Sequence, residues 1–318
     1  AGYGPNLGPM VVGGSAWLVP TDFSESDFTN AFSDQFSTTG WSESCQHIPL
    51  GDSKKLYQSG SGLSTLEVGF LSLLGMIHPH VTDVEQLLRQ TNDDCNHKPK
   101  LLKSGLPWYE SLGKLRVPAC DSVLRIKAIA DLSSRGARSL ASEQIELVAV
   151  KTIVVAEPEF NRQVSRLGSK GSLLSETTLA LASRLLEIVP SVPAEIFCDR
   201  QGGRKNYLPL LLQWMPDQWF IETQRTAARC SYRAESPLAL NIHFSVGGDS
   251  FPATALASMT AKYLRERLME SFNSFWTSHC RDLKPTAGYP GDAQRFRKTI
   301  LSAAKQLSLS EDSWWRCR

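Results

Sequence analysis

The sequence predicts an α/β fold on three observations. Short β-branched runs bounded by turn residues recur along the chain, amphipathic helical stretches lie between them, and 42% of the 318 residues are hydrophobic, enough for a large packed core. In order, the strand candidates are 10–19, 145–156, 194–198, 218–224 and 241–246. Residues 175–189 read as a helix because Thr178, Leu181, Ala182, Leu185, Leu186 and Val189 share one stripe, with Ser175 and Glu176 at its start. Residues 257–276 read as the longest helix. Ala261, Leu264, Leu268, Phe272 and Phe275 form its apolar face, and Lys262, Arg265 and Glu266 turn elsewhere. From 57 to 140 the pattern loosens around the Gly/Ser run 58–62 and the polar stretch 91–100, which predicts an inserted, mostly helical subdomain. The main domain then comprises 1–56 and 141–318.

Charge is uneven. Lys and Arg number 34 against 32 Asp and Glu, yet residues 257–318 hold 11 basic and 6 acidic side chains, which marks that end as a candidate polyanion surface. No window approaches the roughly 18 apolar residues of a membrane span. Residues 1–53 lack Lys and Arg, so neither a secretory nor a transit signal is recognised, and a cytoplasmic location is expected. Seven scattered cysteines without a C-x-x-C fit reduced thiols. The chain opens on Ala1 and runs almost at once into a strand, so the natural protein is expected to continue upstream.

Several familiar motifs are missing: a G-x-S-x-G elbow, a Walker A lysine, and a G-x-G-x-x-G between strand and helix. His78-Pro79-His80 and Cys95-Asn96-His97 have no second pair at zinc spacing and read as structural. The run 196–205 is more informative. A short apolar strand delivers Asp199 to its C-terminal end; Arg200 comes next, and Arg204 and Lys205 follow after Gln201-Gly202-Gly203. Carboxylates suit hard cations and arginines suit phosphates, so this edge fits a site holding both. The plain reading is a turn aspartate beside a solvated basic loop. A second strand-end carboxylate, Asp249, follows Gly247-Gly248, and the two together look like part of the carboxylate set of a metal-dependent nuclease.

Five stretches, in order, resemble motifs of the type 2 ribonuclease H family (ribonuclease HII). Ala1-Gly2-Tyr3-Gly4 with Gly8-Pro9-Met10-Val11-Val12 is similar to its Ala-Gly-Arg-Gly and Gly-Pro-Val-Val signature, and Asp52-Ser53-Lys54-Lys55-Leu56 matches its Asp-Ser-Lys-Lys-Leu turn. Asp199 stands where the family has its third carboxylate. The run from Ala257-Ser258 to Ala261-Lys262, followed by Arg265-Glu266, resembles its Ala-Ser-Ile-Leu-Ala-Lys helix, and Lys284–Ala293 its Lys-Gly-Tyr-Gly-Thr turn. The likeness covers 1–56 and about 155–295. It leaves the segment between them and the tail Trp314-Trp315-Arg316-Cys317-Arg318 unexplained.

The resemblance implies a ribonuclease H-like mixed central sheet flanked by helices, and endonucleolytic hydrolysis of RNA paired with DNA on two Mg²⁺ or Mn²⁺ ions. Asp199 and Asp249 would be catalytic metal ligands, joined by an Asp-Glu pair that in the family precedes Ala-Gly-Arg-Gly. Lys54, Lys55, Arg204, Ser258, Lys262 and Arg265 would face the substrate, mostly its phosphates, and Gly2, Tyr3, Gly4 and Tyr289 would line the groove that exposes 2′-hydroxyls. There are departures. Tyr3 replaces the motif's Arg, Asp249 lies about one residue nearer the helix than the usual fourth carboxylate, and Gly202-Gly203-Arg204 is not the common form. A non-catalytic nucleic-acid-binding module, or a nuclease acting on structured DNA, is therefore the alternative.

Overall fold

A computed structural model describes residues 4–38, 40–42, 45–57, 62–93, 98–120, 122–190, 192–235 and 238–317. The chain runs β1 (Met10–Leu18), α1 (Glu25–Asn30), β2 (Phe36–Ser37), β3 (Ile48–Pro49), α2 (Ser53–Leu56), α3 (Ser64–Leu74), α4 (Val84–Thr91), α5 (Val123–Ser142) and β4 (Glu146–Val155). It continues α6 (Glu157–Leu167), α7 (Lys170–Ile188), β5 (Ala194–Asp199), α8 (Leu208–Trp214), β6 (Ile221–Arg225), β7 (Arg229–Ala234), β8 (Leu240–Ser245), α9 (Pro252–His279) and α10 (Pro290–Gln306). The fold class is mixed α/β, as expected. Among the described residues no helix is long and apolar enough to cross a membrane.

Where the resemblance implies one central sheet, the described strands form small separate ones. β1 pairs antiparallel with β4, β2 parallel with β3, and a mixed sheet runs β5-β8-β7-β6, with β5 parallel to β8 and the other neighbours antiparallel. The first turns of α9 explain the break, because they bond to both β1 and β5. Ser15 Oγ of β1 donates to the Ala253 carbonyl at 3.0 Å, and Thr254 Oγ1 donates to the Phe197 carbonyl of β5 at 3.5 Å. Gly13 makes the approach possible: a Cβ there would stand 2.3 Å from the Ala257 carbonyl oxygen.

Element ends shift for local reasons. α7 starts at Lys170, well before Ser175, because Ser169 caps it by accepting from the Ser172 amide. α9 starts at Pro252, five residues before the expected start, since proline at the first helical turn lacks only an amide hydrogen that the helix cannot use. β7 went unpredicted, although Cys230, Tyr232 and Ala234 alternate inward on it. Residues 218–220 fall outside β6.

Segment 57–140 carries α3, α4 and most of α5, and its described apolar residues pack with those of α9. Leu66, Phe70, Leu73, Leu88 and Trp108 join Tyr263, Leu264, Phe272 and Trp276 of α9 in one apolar cluster, with Phe70 5.0 Å from Tyr263 and Trp108 5.5 Å from Phe272 between ring centroids. Gln58–Ser61 of the proposed joint, and the Cys95-Asn96-His97 run, lie outside the described residues. A second cluster, with Tyr207, Tyr232, Ile242 and Phe244, fills the space between the four-stranded sheet, α7 and α8. That sheet's carboxyl ends carry the candidate site.

Candidate functional site

β5 and β8 are parallel and in register, Asp199 opposite Ser245, so the turns that follow them leave the sheet at one edge. Gly247 takes a left-handed φ of +64°, and Gly248 packs flush against β5, where a Cβ would lie 3.0 Å from the Asp199 Cα. The Gly248 amide donates to Asp199 Oδ1 at 3.2 Å, which ties the first carboxylate to the turn that carries the second. Asp199 is exposed and Asp249 half-buried. Burial pushes the Asp249 carboxyl up, and the negative charges of Asp52 and Asp199 push it further, with Lys54 opposing them.

Asp52 is thus a third carboxylate at this edge, and it was not among the expected ligands. Its side chain accepts from the Lys54 amide at 2.8 Å and caps α2. Ser53, next in sequence, shares a 2.8 Å hydrogen bond with Ser258 of α9, so the Asp-Ser-Lys-Lys turn and the Ala-Ser helix are pinned together. Lys54 and Lys55 project outward and exposed.

The next turn of α9 departs from the expectation. Lys262 does not stand free for a phosphate: Nζ pairs with Glu266 Oε1 at 2.6 Å and lies 4.1 Å from the centre of the Tyr57 ring. Burial, with Glu266 adding to it, raises the Tyr57 hydroxyl. Arg265 is fully buried. Its Nη2 donates to the carbonyls of Leu7 (3.3 Å) and Ala287 (3.0 Å), so it braces the loops of the first and last motifs and cannot reach a phosphate. The apolar face of α9 is wider than the stripe read from sequence and takes in this arginine. Tyr289, 52% exposed, stacks its ring 5.8 Å from the Arg265 guanidinium. Gly4 is exposed; Gly2 and Tyr3 lie outside the described residues. Arg204 is half-buried, 5.9 Å from the Tyr207 ring, and its carbonyl accepts from Arg200 Nε at 3.0 Å. Arg200 also donates to Ala227, so it stitches two loops together.

No family model, no curated protein and no solved structure matches the chain. The site must therefore be read from its own chemistry. Among the described residues no group of three or more His, Cys, Asp or Glu is arranged to hold a metal ion. Asp249, with the charge of Asp199 helping to push its carboxyl up, fits a smaller demand. A hard cation such as Mg²⁺ can be held by one or two carboxylates with water completing its shell, and it would relieve the repulsion felt at Asp249. The described residues fit one such ion and do not supply the donor set of two.

Proposed function

We propose that the chain is a metal-dependent endonuclease of the ribonuclease H type that acts on RNA paired with DNA. The observation that carries this reading is convergence. Stretches far apart in sequence, chosen for their resemblance to one family, are linked pairwise: Ser53 with Ser258, Asp199 with the Gly248 turn, and Leu7 and Ala287 with Arg265. A chance set of motif likenesses has no reason to assemble at neighbouring positions around one helix.

In this reading Asp199 and Asp249 hold a divalent cation, which when bound supplies charge neutralisation for phosphodiester hydrolysis. The remaining work belongs to the chain. Lys54 and Lys55 offer exposed charge to the backbone of the duplex, which positions it without reading sequence. Tyr289 presents an exposed ring beside the loop that carries Gly4, at the place where a hybrid's sugars and bases would pass. The Lys262–Glu266 pair and Arg265 fix the floor beneath them.

That no group of three or more His, Cys, Asp or Glu is arranged to hold a metal ion among the described residues favours a second reading, a nucleic-acid-binding module of the same fold without catalysis. One experiment separates the two. The protein is mixed with an RNA–DNA hybrid and with duplex DNA, in Mg²⁺, in Mn²⁺ and in chelator, and both binding and cleavage are followed. Metal-dependent cleavage of the hybrid that disappears in Asp199→Asn supports the nuclease. Binding without cleavage supports the module, cleavage of DNA alone moves the substrate, and absence of both rejects the nucleic-acid reading.

A further inference from the structure

The tail at 314–317, which the resemblance leaves unexplained, folds back onto the first loop of the chain. The Arg316 amide donates to the Asn6 carbonyl at 2.9 Å, and Asn6 Nδ2 returns a 3.4 Å bond to the Arg316 carbonyl. The Arg316 side chain is fully buried, its guanidinium 3.8 Å from the Phe160 ring centre, and Nη1 donates to the Gly8 carbonyl at 3.0 Å. Asn161 of α6 anchors the same tail, donating to the Trp315 carbonyl at 2.9 Å and accepting from the Cys317 amide at 2.8 Å. Trp314 is buried against Trp276, 6.0 Å between ring centres.

Burying a guanidinium is costly, and an apolar residue would fill this position as well. What an arginine adds here is a charged donor aimed at one backbone carbonyl. The loop it meets is gripped on its other side by Arg265 at Leu7 and by the Gly288 carbonyl, which accepts from the Asn6 amide at 2.8 Å. Two buried arginines therefore hold successive carbonyls, Leu7 and Gly8, just after Gly4. Beneath them lies buried Glu157, whose Oε1 accepts from the Tyr109 hydroxyl at 3.1 Å and whose charge acts on both arginines.

We propose that Arg316 is a positioning residue, which through the Gly8 carbonyl holds the 5–9 loop in the conformation that presents Gly4 to the bound nucleic acid. The proposal rests on the nucleic-acid reading above for its second half only. Arg316 touches no substrate; it acts through the loop.

The test compares the parent with Arg316→Ala and Arg316→Lys by amide hydrogen exchange, and by hybrid affinity at several salt concentrations. Arg316→Ala should speed exchange of the Asn6 and Leu7 amides by about tenfold or more, the size of a lost hydrogen bond to a charged group, while amides of β8 and α8 keep the parent's rates. Hybrid affinity should fall without a change in its salt slope, since no phosphate contact is removed, and Arg316→Lys should recover part of both. Unchanged exchange at Asn6 and Leu7 overturns the proposal, as does an equal acceleration everywhere, which would make Arg316 a purely structural residue. If the parent binds no hybrid, the nucleic-acid reading falls, while the exchange comparison still decides whether Arg316 holds the loop.

Discussion

Three carboxyl groups set the electrostatics of this molecule at the scale of single residues. Asp249 is pushed up by burial and by the charges of Asp52 and Asp199. Replacing Asp199 with Asn should let the Asp249 carboxyl titrate at lower pH, seen by NMR, with little loss of stability because repulsion is relieved. An unmoved Asp249 titration would mean that the two groups do not sense each other. Fully buried Glu157 is raised to about 7, chiefly by burial, against the Tyr109 hydroxyl and the charges of Arg316 and Arg265. The sign follows from proton linkage. The folded state keeps a proton that the unfolded chain releases near pH 4.5, so this group's favourable contribution is complete below that pH and is lost as pH rises through about 7. Glu157→Gln should flatten that decline in melting temperature and leave the variant relatively more stable at pH 8; a decline identical to the parent's would place its origin elsewhere. The carboxylates at the strand ends, Asp199 and Asp249, were legible in sequence. Asp52 was hidden by its second task as a helix cap, and Arg265 read as a surface residue because spacing alone does not say how wide a helix face is buried.

At the scale of elements, α9 sits against nearly everything, and glycine sets how closely. Gly13→Ala would bring a Cβ to 2.3 Å from the rigid Ala257 carbonyl, and should cost about 1–3 kcal/mol in denaturant unfolding. Gly14→Ala meets side chains alone, the Leu185 end at 2.7 Å and Leu181 Cδ2 at 3.2 Å, and should cost less; equal costs would show that α9 does not press on β1 as described. The helix also sorts the basic residues. Lys54 and Lys55 on the α2 turn are exposed, whereas Lys262 is paired with Glu266. Removing both Lys54 and Lys55 should shallow the salt dependence of hybrid binding by roughly two contacts at about 0.9 each, and Lys262→Ala should leave the slope nearly unchanged. The reverse result would put the phosphate track on α9. Strand and helix interiors were readable from periodicity. The separation of the sheets was not, because it depends on which partner a strand edge meets, and no spacing along β1 or β5 specifies an α-helix there.

For the whole molecule, the decisive fact is that segment 57–140 and α9 share one interior. Phe70→Ala should therefore lower global stability by about 3–5 kcal/mol and shift a single unfolding transition, followed alike by tryptophan fluorescence and circular dichroism. Two separated transitions would restore the idea of an independent subdomain. Loose composition suggested such a subdomain because polar runs at 91–100 mark surface, and surface is uninformative about what lies beneath. The contact between Asn6 and Arg316 spans 310 positions of sequence. A ribosome makes the 5–9 loop long before its clasp, so during synthesis the loop waits for the intervening chain before it can be fastened. Until then the Leu7 and Gly8 carbonyls lack one of their two arginine grips, and the nascent protein carries its proposed substrate groove unfinished. Competence for the binding proposed above then waits on the synthesis of Arg316.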